Sequence, residues 1–118
     1  MFITRFPIDV TDSQNLANDS LTLKTAFSRS WRLIACLIHW SASVTTQTTA
    51  VTFNSDESSN YDTVLKTESV TGTSFEYKPT NDFLLKNGQE ITLTSGNTAT
   101  PAITAYATII GEEIHSAT

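Results

Sequence analysis

Apolar residues alternate with serine and threonine along most of this chain, and that period of two confines it to β structure. The segments Thr22-Leu23-Lys24-Thr25-Ala26-Phe27, Ala50-Val51-Thr52-Phe53, Ser74-Phe75-Glu76-Tyr77 and Glu90-Ile91-Thr92-Leu93-Thr94 each place an apolar side chain at about every second position. Successive side chains of a strand point to opposite faces, so this spacing gives each segment one apolar and one polar side. Thirty-four of the 118 residues are Ser or Thr and only 16% are charged, so hydroxyls supply much of the polar surface. A chain of this length builds one domain with a two-layer core.

Turn residues divide the chain into about eight candidate strands, at residues 21–28, 31–40, 50–55, 62–69, 73–78, 83–85, 90–95 and 102–112. Asn87-Gly88 is the strongest hairpin signal, because a tight type I′ turn needs positive φ at both central residues and this pair tolerates it. Short strands at this spacing without a helical pattern predict an all-β, jelly-roll-like antiparallel β-sandwich. Residues 1–19 differ. Phe2, Phe6, Ile8 and Val10 are spaced by polar residues and followed by a stretch rich in Asn, Asp and Ser. We read residues 1–19 as an extended N-terminal arm and residues 20–118 as the sandwich domain, with Phe2, Phe6 and Ile8 as apolar anchors on a neighbouring polypeptide.

The segment from residue 31 to residue 40 breaks the one-sided rule. Trp31, Leu33, Ala35 and Leu37 share one parity, and Ile34, Cys36, Ile38 and Trp40 share the other. In a regular strand such a pattern makes both faces apolar, whereas a sandwich buries only one. The expectation is that one face, including Trp31 or Trp40, meets the arm or another subunit, most economically a second copy of the chain. A homo-oligomer, possible as a trimer, follows from that reading.

Charge and chemistry narrow the function classes. A net charge of −5 with seven scattered Lys and Arg residues argues against binding nucleic acid, which needs clustered cations against phosphate. Neither a secretory leader nor a membrane-spanning run is expected, since the apolar run 33–38 is far shorter than the roughly 20 residues that cross a bilayer. The single Cys36 excludes an internal disulfide and lies among apolar neighbours, where a small buried hydrophobe is expected. His39 and His115 are the residues able to act as a base near neutral pH, but no nucleophile elbow of the G-x-S-x-G type accompanies them. The acidic loop at residues 56–62, with Asp56, Glu57 and Asp62, has the oxygen donors calcium favours but lacks the glycine and terminal glutamate of an EF-hand loop, and we read it as a solvated connection. No catalytic residue, metal or cofactor is therefore expected.

Several motifs in the second half share a pattern: Val51-Thr52-Phe53, Tyr61-Asp62-Thr63-Val64-Leu65, Gly72-Thr73-Ser74-Phe75-Glu76-Tyr77, Leu84-Leu85-Lys86-Asn87-Gly88-Gln89-Glu90-Ile91, and Tyr106-Ala107-Thr108-Ile109-Ile110-Gly111-Glu112-Glu113. In this order the chain resembles small β-sandwich structural proteins of tailed bacteriophages. The resemblance implies a non-enzymatic virion protein made in the host cytoplasm, foremost a capsid decoration or cement protein that binds a major capsid protein or a connector or tail protein. It transfers no binding residue. The alternative expectation is a carbohydrate-recognition sandwich on a tail or fibre, in which aromatic residues such as Trp31, Trp40, Tyr61, Tyr77 and Tyr106 form a sugar-stacking platform.

Overall fold

In a computed structural model the backbone is described for residues 2–96 and 102–117, and side chains for residues 6–96 and 102–114. Seven strands make one antiparallel sheet: β1 (Phe2–Asn15), β2 (Leu21–Lys24), β3 (Trp31–Asn54), β4 (Thr63–Tyr77), β5 (Phe83–Leu85), β6 (Glu90–Ser95) and β7 (Thr104–Ala117). Among the described residues one 3₁₀ turn, Ser59–Tyr61, lies between β3 and β4. The strand order is β1-β7-β3-β6-β2, with β4 and β5 also pairing with β3. The two ends of that order, β1 and β2, lie against each other, so the sheet curls until it is nearly closed into a barrel.

The 24-residue β3 organises everything else, because different parts of it meet different neighbours. Its first part, Trp31 to Trp40, pairs with β7, and its last part, Thr49 to Asn54, pairs with β6. The ladder with β7 is irregular at one place: Leu33 faces Gly111 and Ala35 faces Ile110, so two residues of β3 advance against one of β7. That β-bulge changes the parity of the strand. Trp31 and Leu33 point inward before it, and Cys36, Ile38 and Trp40 point inward after it, all buried in one core. The doubled apolar pattern is thus satisfied inside one chain, and the motive for covering a second face of this strand with another subunit disappears. Large and small residues alternate across the β3–β7 ladder, with Trp40 opposite Ala105, Ile38 opposite Ala107 and Cys36 opposite Ile109. This lets two facing rows fill the barrel without voids.

Residues 41–49, expected as a turn, are instead the corner where β3 bends. The register against β4 slips between His39 and Val44 and again between Val44 and Gln47, and Thr46 takes φ +50. Val44 and Gln47 are buried there. Ser95 Oγ accepts from Trp40 Nε1 at 3.2 Å and from Gln47 Nε2 at 3.1 Å, so the corner's buried polar groups are satisfied by β6. Across the corner Gly72 of β4 adopts φ +135, a conformation open to glycine, and keeps β4 running where a turn was expected. Candidate strands 31–40 and 50–55 are therefore one element, as are 62–69 and 73–78, and the expected eight-stranded layout gives way to seven strands. Asn87-Gly88 forms a tight turn, with Gln89 N donating to Lys86 O at 3.1 Å, but Gly88 alone of the pair takes positive φ, so it is not type I′, and the strands on either side both pair with β3 rather than with each other.

The segment read as an N-terminal arm is strand β1 of the same sheet. It pairs with β7 in unbroken register from Phe2 opposite Ala117 to Asn15 opposite Thr104. No turn was needed to fold it back, because its partner is the far end of the chain. Ile8 and Val10 pack against the core, and Leu16 just after the strand is fully buried.

Candidate functional site

The residues nominated from sequence as partner contacts separate into two groups. Trp31 and Trp40 are both 0% exposed and belong to the core. Trp31 lies edge-to-face with Phe27, ring centroids 4.8 Å apart, and Trp40 is tied to Ser95. Neither offers a surface to a partner in this fold. Phe6, by contrast, is 48% exposed, and Ile8 is half-buried. The Phe2 side chain lies outside the described residues, as does that of His115. Phe6 stands in the same cross-strand row as Glu113, Trp31 and Leu85, at one mouth of the barrel. Beside that mouth is an open apolar groove of about 350 Å³ that includes Leu84, Leu85 and Ile114. In the adjacent row Arg32 binds Glu112 and, at 2.9 Å, Asp82, while Arg29 meets Glu113 at 3.3 Å. The two carboxylates raise the Arg32 guanidinium above its ordinary range, chiefly through the hydrogen bonds to Glu112.

The groups considered for chemistry are engaged elsewhere. The Asp62 carboxylate accepts from Ser55 N at 2.8 Å and Asn54 Nδ2 at 3.3 Å, and Asp56 faces Lys86 at 3.6 Å. Among the described residues no group of His, Cys, Asp or Glu converges as a metal site. Cys36 is buried, and desolvation pushes its thiol up to about 12. The facing Tyr77 hydroxyl is raised too, first by desolvation and then by Cys36. The folded protein should leave Cys36 unreacted with a thiol-specific dye at pH 8, and denaturant should release full reaction. The sign of the alkaline effect follows: above about 8.5 the unfolded thiol ionises while the folded one keeps its proton, so stability falls with rising pH, by about 4 kcal/mol at pH 12. A Cys36→Ala comparison of alkaline melts checks it.

Two surface features remain; the sequence offers Tyr106 and His39 of the second singly, but not the first. The first is a strand edge. β4 pairs with β3 alone, so its other edge is open over 15 residues, about 50 Å at the usual strand rise. The molecule is 55 Å along its greatest extent. The opposite edge strand, β1, is blunted by Pro7, which has no N–H, and by Asp12 Oδ1, which accepts from Ser13 N at 2.8 Å. The second is a polar outer face where β1, β7, β3 and β4 lie side by side. One cross-strand row there reads Ser13, Tyr106, His39, Ser74, and the next reads Thr11, Thr108, Leu37, Glu76. His39 and Tyr106 are exposed and their rings stack, 6.4 Å between centroids and 27° between planes. A signal for that face did exist in the alternation of Thr104, Tyr106 and Thr108 along β7, but its neighbours come from strands distant in sequence. No family model, curated protein or solved structure matches the chain.

Proposed function

We propose that the chain is a non-enzymatic structural protein of a tailed-phage virion, a capsid decoration protein that docks on shell or connector proteins and works by binding energy. The open β4 edge supports this reading most directly. Monomeric β proteins blunt their long edges with proline, charge or a covering loop, because unpaired N–H and C=O groups recruit another strand. β1 carries a proline in its edge, whereas β4, which bends at Gly72, has from Thr67 to Phe75 no proline and the single charge Glu68. A strand added by a capsid neighbour would satisfy those groups with main-chain hydrogen bonds, and the side chains flanking the edge would set register. The apolar mouth with Phe6 and Leu84 gives the neighbour a second foothold. In this proposal the jelly-roll-like description concerns the general shape of such proteins, and oligomerisation, as a trimer or otherwise, takes place on the shell.

Two measurements test it. Mass-spectrometric counting of purified virions from the source of the gene should find many copies per particle relative to the shell protein. Absence from the particle overturns the virion reading. In the edge itself, Thr67→Lys with Ser69→Lys replaces two exposed residues and should leave the melting midpoint within about 2 °C, because exposed substitutions change stability little. Incorporation into particles should fall at least tenfold. Undiminished incorporation would remove the β4 edge as the docking surface.

A further inference from the structure

We infer that the outer face around Tyr106 is a binding site for a neutral pyranose sugar. The inference is independent of the virion proposal, since it uses a different face of the molecule from the β4 edge.

An open groove of about 360 Å³ lies along the β1–β7 ladder, lined by Thr11, Asp12, Ser13, Tyr106, Ala107 and Thr108. Its size is that of a small-ligand cleft. Tyr106 is 51% exposed, and its large ring is an apolar platform in mostly polar surroundings. Its cross-strand neighbour His39 stacks beside it, 27° from parallel, and extends the platform. Around the platform stand hydroxyls from Thr11, Ser13 and Thr108, each able to donate and accept, whereas Asp12 shares its row with the buried Ala107 and binds Ser13 N through Oδ1.

That combination selects among ligand classes. A pyranose has an apolar face of axial C–H groups and a rim of hydroxyls, and the groove offers a ring for the first and donors and acceptors for the second. A phosphate or sulfate group finds no cation in the lining, in a chain of net charge −5. An aliphatic chain would leave the hydroxyls of both rows without partners. A polypeptide strand would need an open ladder edge, and the groove lies over a β1–β7 ladder that is already paired. A neutral sugar satisfies all of these conditions.

The test is saturation-transfer NMR of the whole protein with the methyl glycosides of glucose, galactose, mannose and N-acetylglucosamine. At least one should show transfer concentrated on its ring C–H protons, with shift changes at Tyr106 and His39. In Tyr106→Ala that transfer should vanish while the melting midpoint stays in place, because the ring is exposed. Ser13→Ala, in the row of Tyr106, should weaken binding at least threefold. Leu84→Ala, at the barrel mouth, should leave it unchanged. No transfer from any of the four glycosides overturns the inference, as does transfer that survives Tyr106→Ala or a stronger response to a sulfated glycoside than to the neutral one.

Discussion

Deletion of Ala35 together with Leu37 should leave the chain unable to fold, whereas deletion of Ala35 alone should give a folded protein. The contrast comes from parity. The bulge in β3 exists because the sequence has one residue more than a straight ladder with β7 can take, between Leu33 and Cys36. Removing Ala35 makes Trp31, Leu33, Cys36, Ile38 and Trp40 alternate without interruption, and all of them can still point inward. The cost is a small inward methyl and the local twist that a bulge supplies, about 1–3 kcal/mol. Removing Leu37 as well leaves β3 one residue short of β7, moves Ile38 and Trp40 to the outer face and turns His39 into the core. Exposing large apolar side chains costs roughly 1.5–3 kcal/mol each, and an unpaired polar ring in the core adds a comparable penalty. The sum is about 5 kcal/mol or more, which consumes the stability of an ordinary domain. Far-UV circular dichroism and the dispersion of amide resonances in the two deletion variants decide the matter. A folded double deletion, or an unfolded Ala35 deletion, would mean that the bulge does not set the inward face of this strand.

The same bulge explains how much of the fold was legible in the sequence. Local periodicity identifies β6 at residues 90–95 and β5 at 83–85 without error, since each is a short segment bounded by turn residues. Periodicity also shows that residues 31–40 break alternation, but a break has two solutions: a second buried face, or an extra residue that resets the phase. The residues themselves do not distinguish them, because the extra residue is defined only by the strand opposite. The corner at residues 41–49 was hidden for another reason. Ser and Thr are common in turns through their local hydrogen bonds, yet Thr also suits strands, and the buried bond from Gln47 to Ser95 that favours the strand joins residues far apart in sequence. The N-terminal strand was obscured in the same way, by a partner at the opposite end of the chain. For the candidate sugar site, Tyr106 is visible in the sequence as an aromatic residue, but its neighbours Ser13 and His39 are a matter of register, which only the assembled sheet determines.

Gly111→Ala should lower stability by about 3 kcal/mol, the upper part of the range for overpacking a well-filled core, and the melting midpoint by roughly 10 °C. Gly111 lies opposite Leu33 at the bulge, and the indole of Trp31 covers it. A Cβ added there would come within 2.6 Å of Trp31 Cε3, 2.9 Å of Trp31 Cζ3 and 2.9 Å of the Arg32 carbonyl oxygen. The first two contacts could be relieved only by moving a ring that is completely buried and held edge-on by Phe27. The third is with backbone at the bulge, where the ladder has least room to shift. The glycine is therefore required for close approach and not for an unusual φ, so another small side chain such as Ser should fare no better than Ala. A double-mutant cycle separates the two sources of strain. Trp31→Leu alone should be destabilising, because it empties volume over Gly111. Combined with Gly111→Ala it should cost less than the sum of the two changes, since the new methyl enters space the indole has left. A favourable coupling of about 1 kcal/mol or more in chemical denaturation is expected, and strict additivity would show that the Arg32 carbonyl, rather than the Trp31 ring, excludes a side chain at this position.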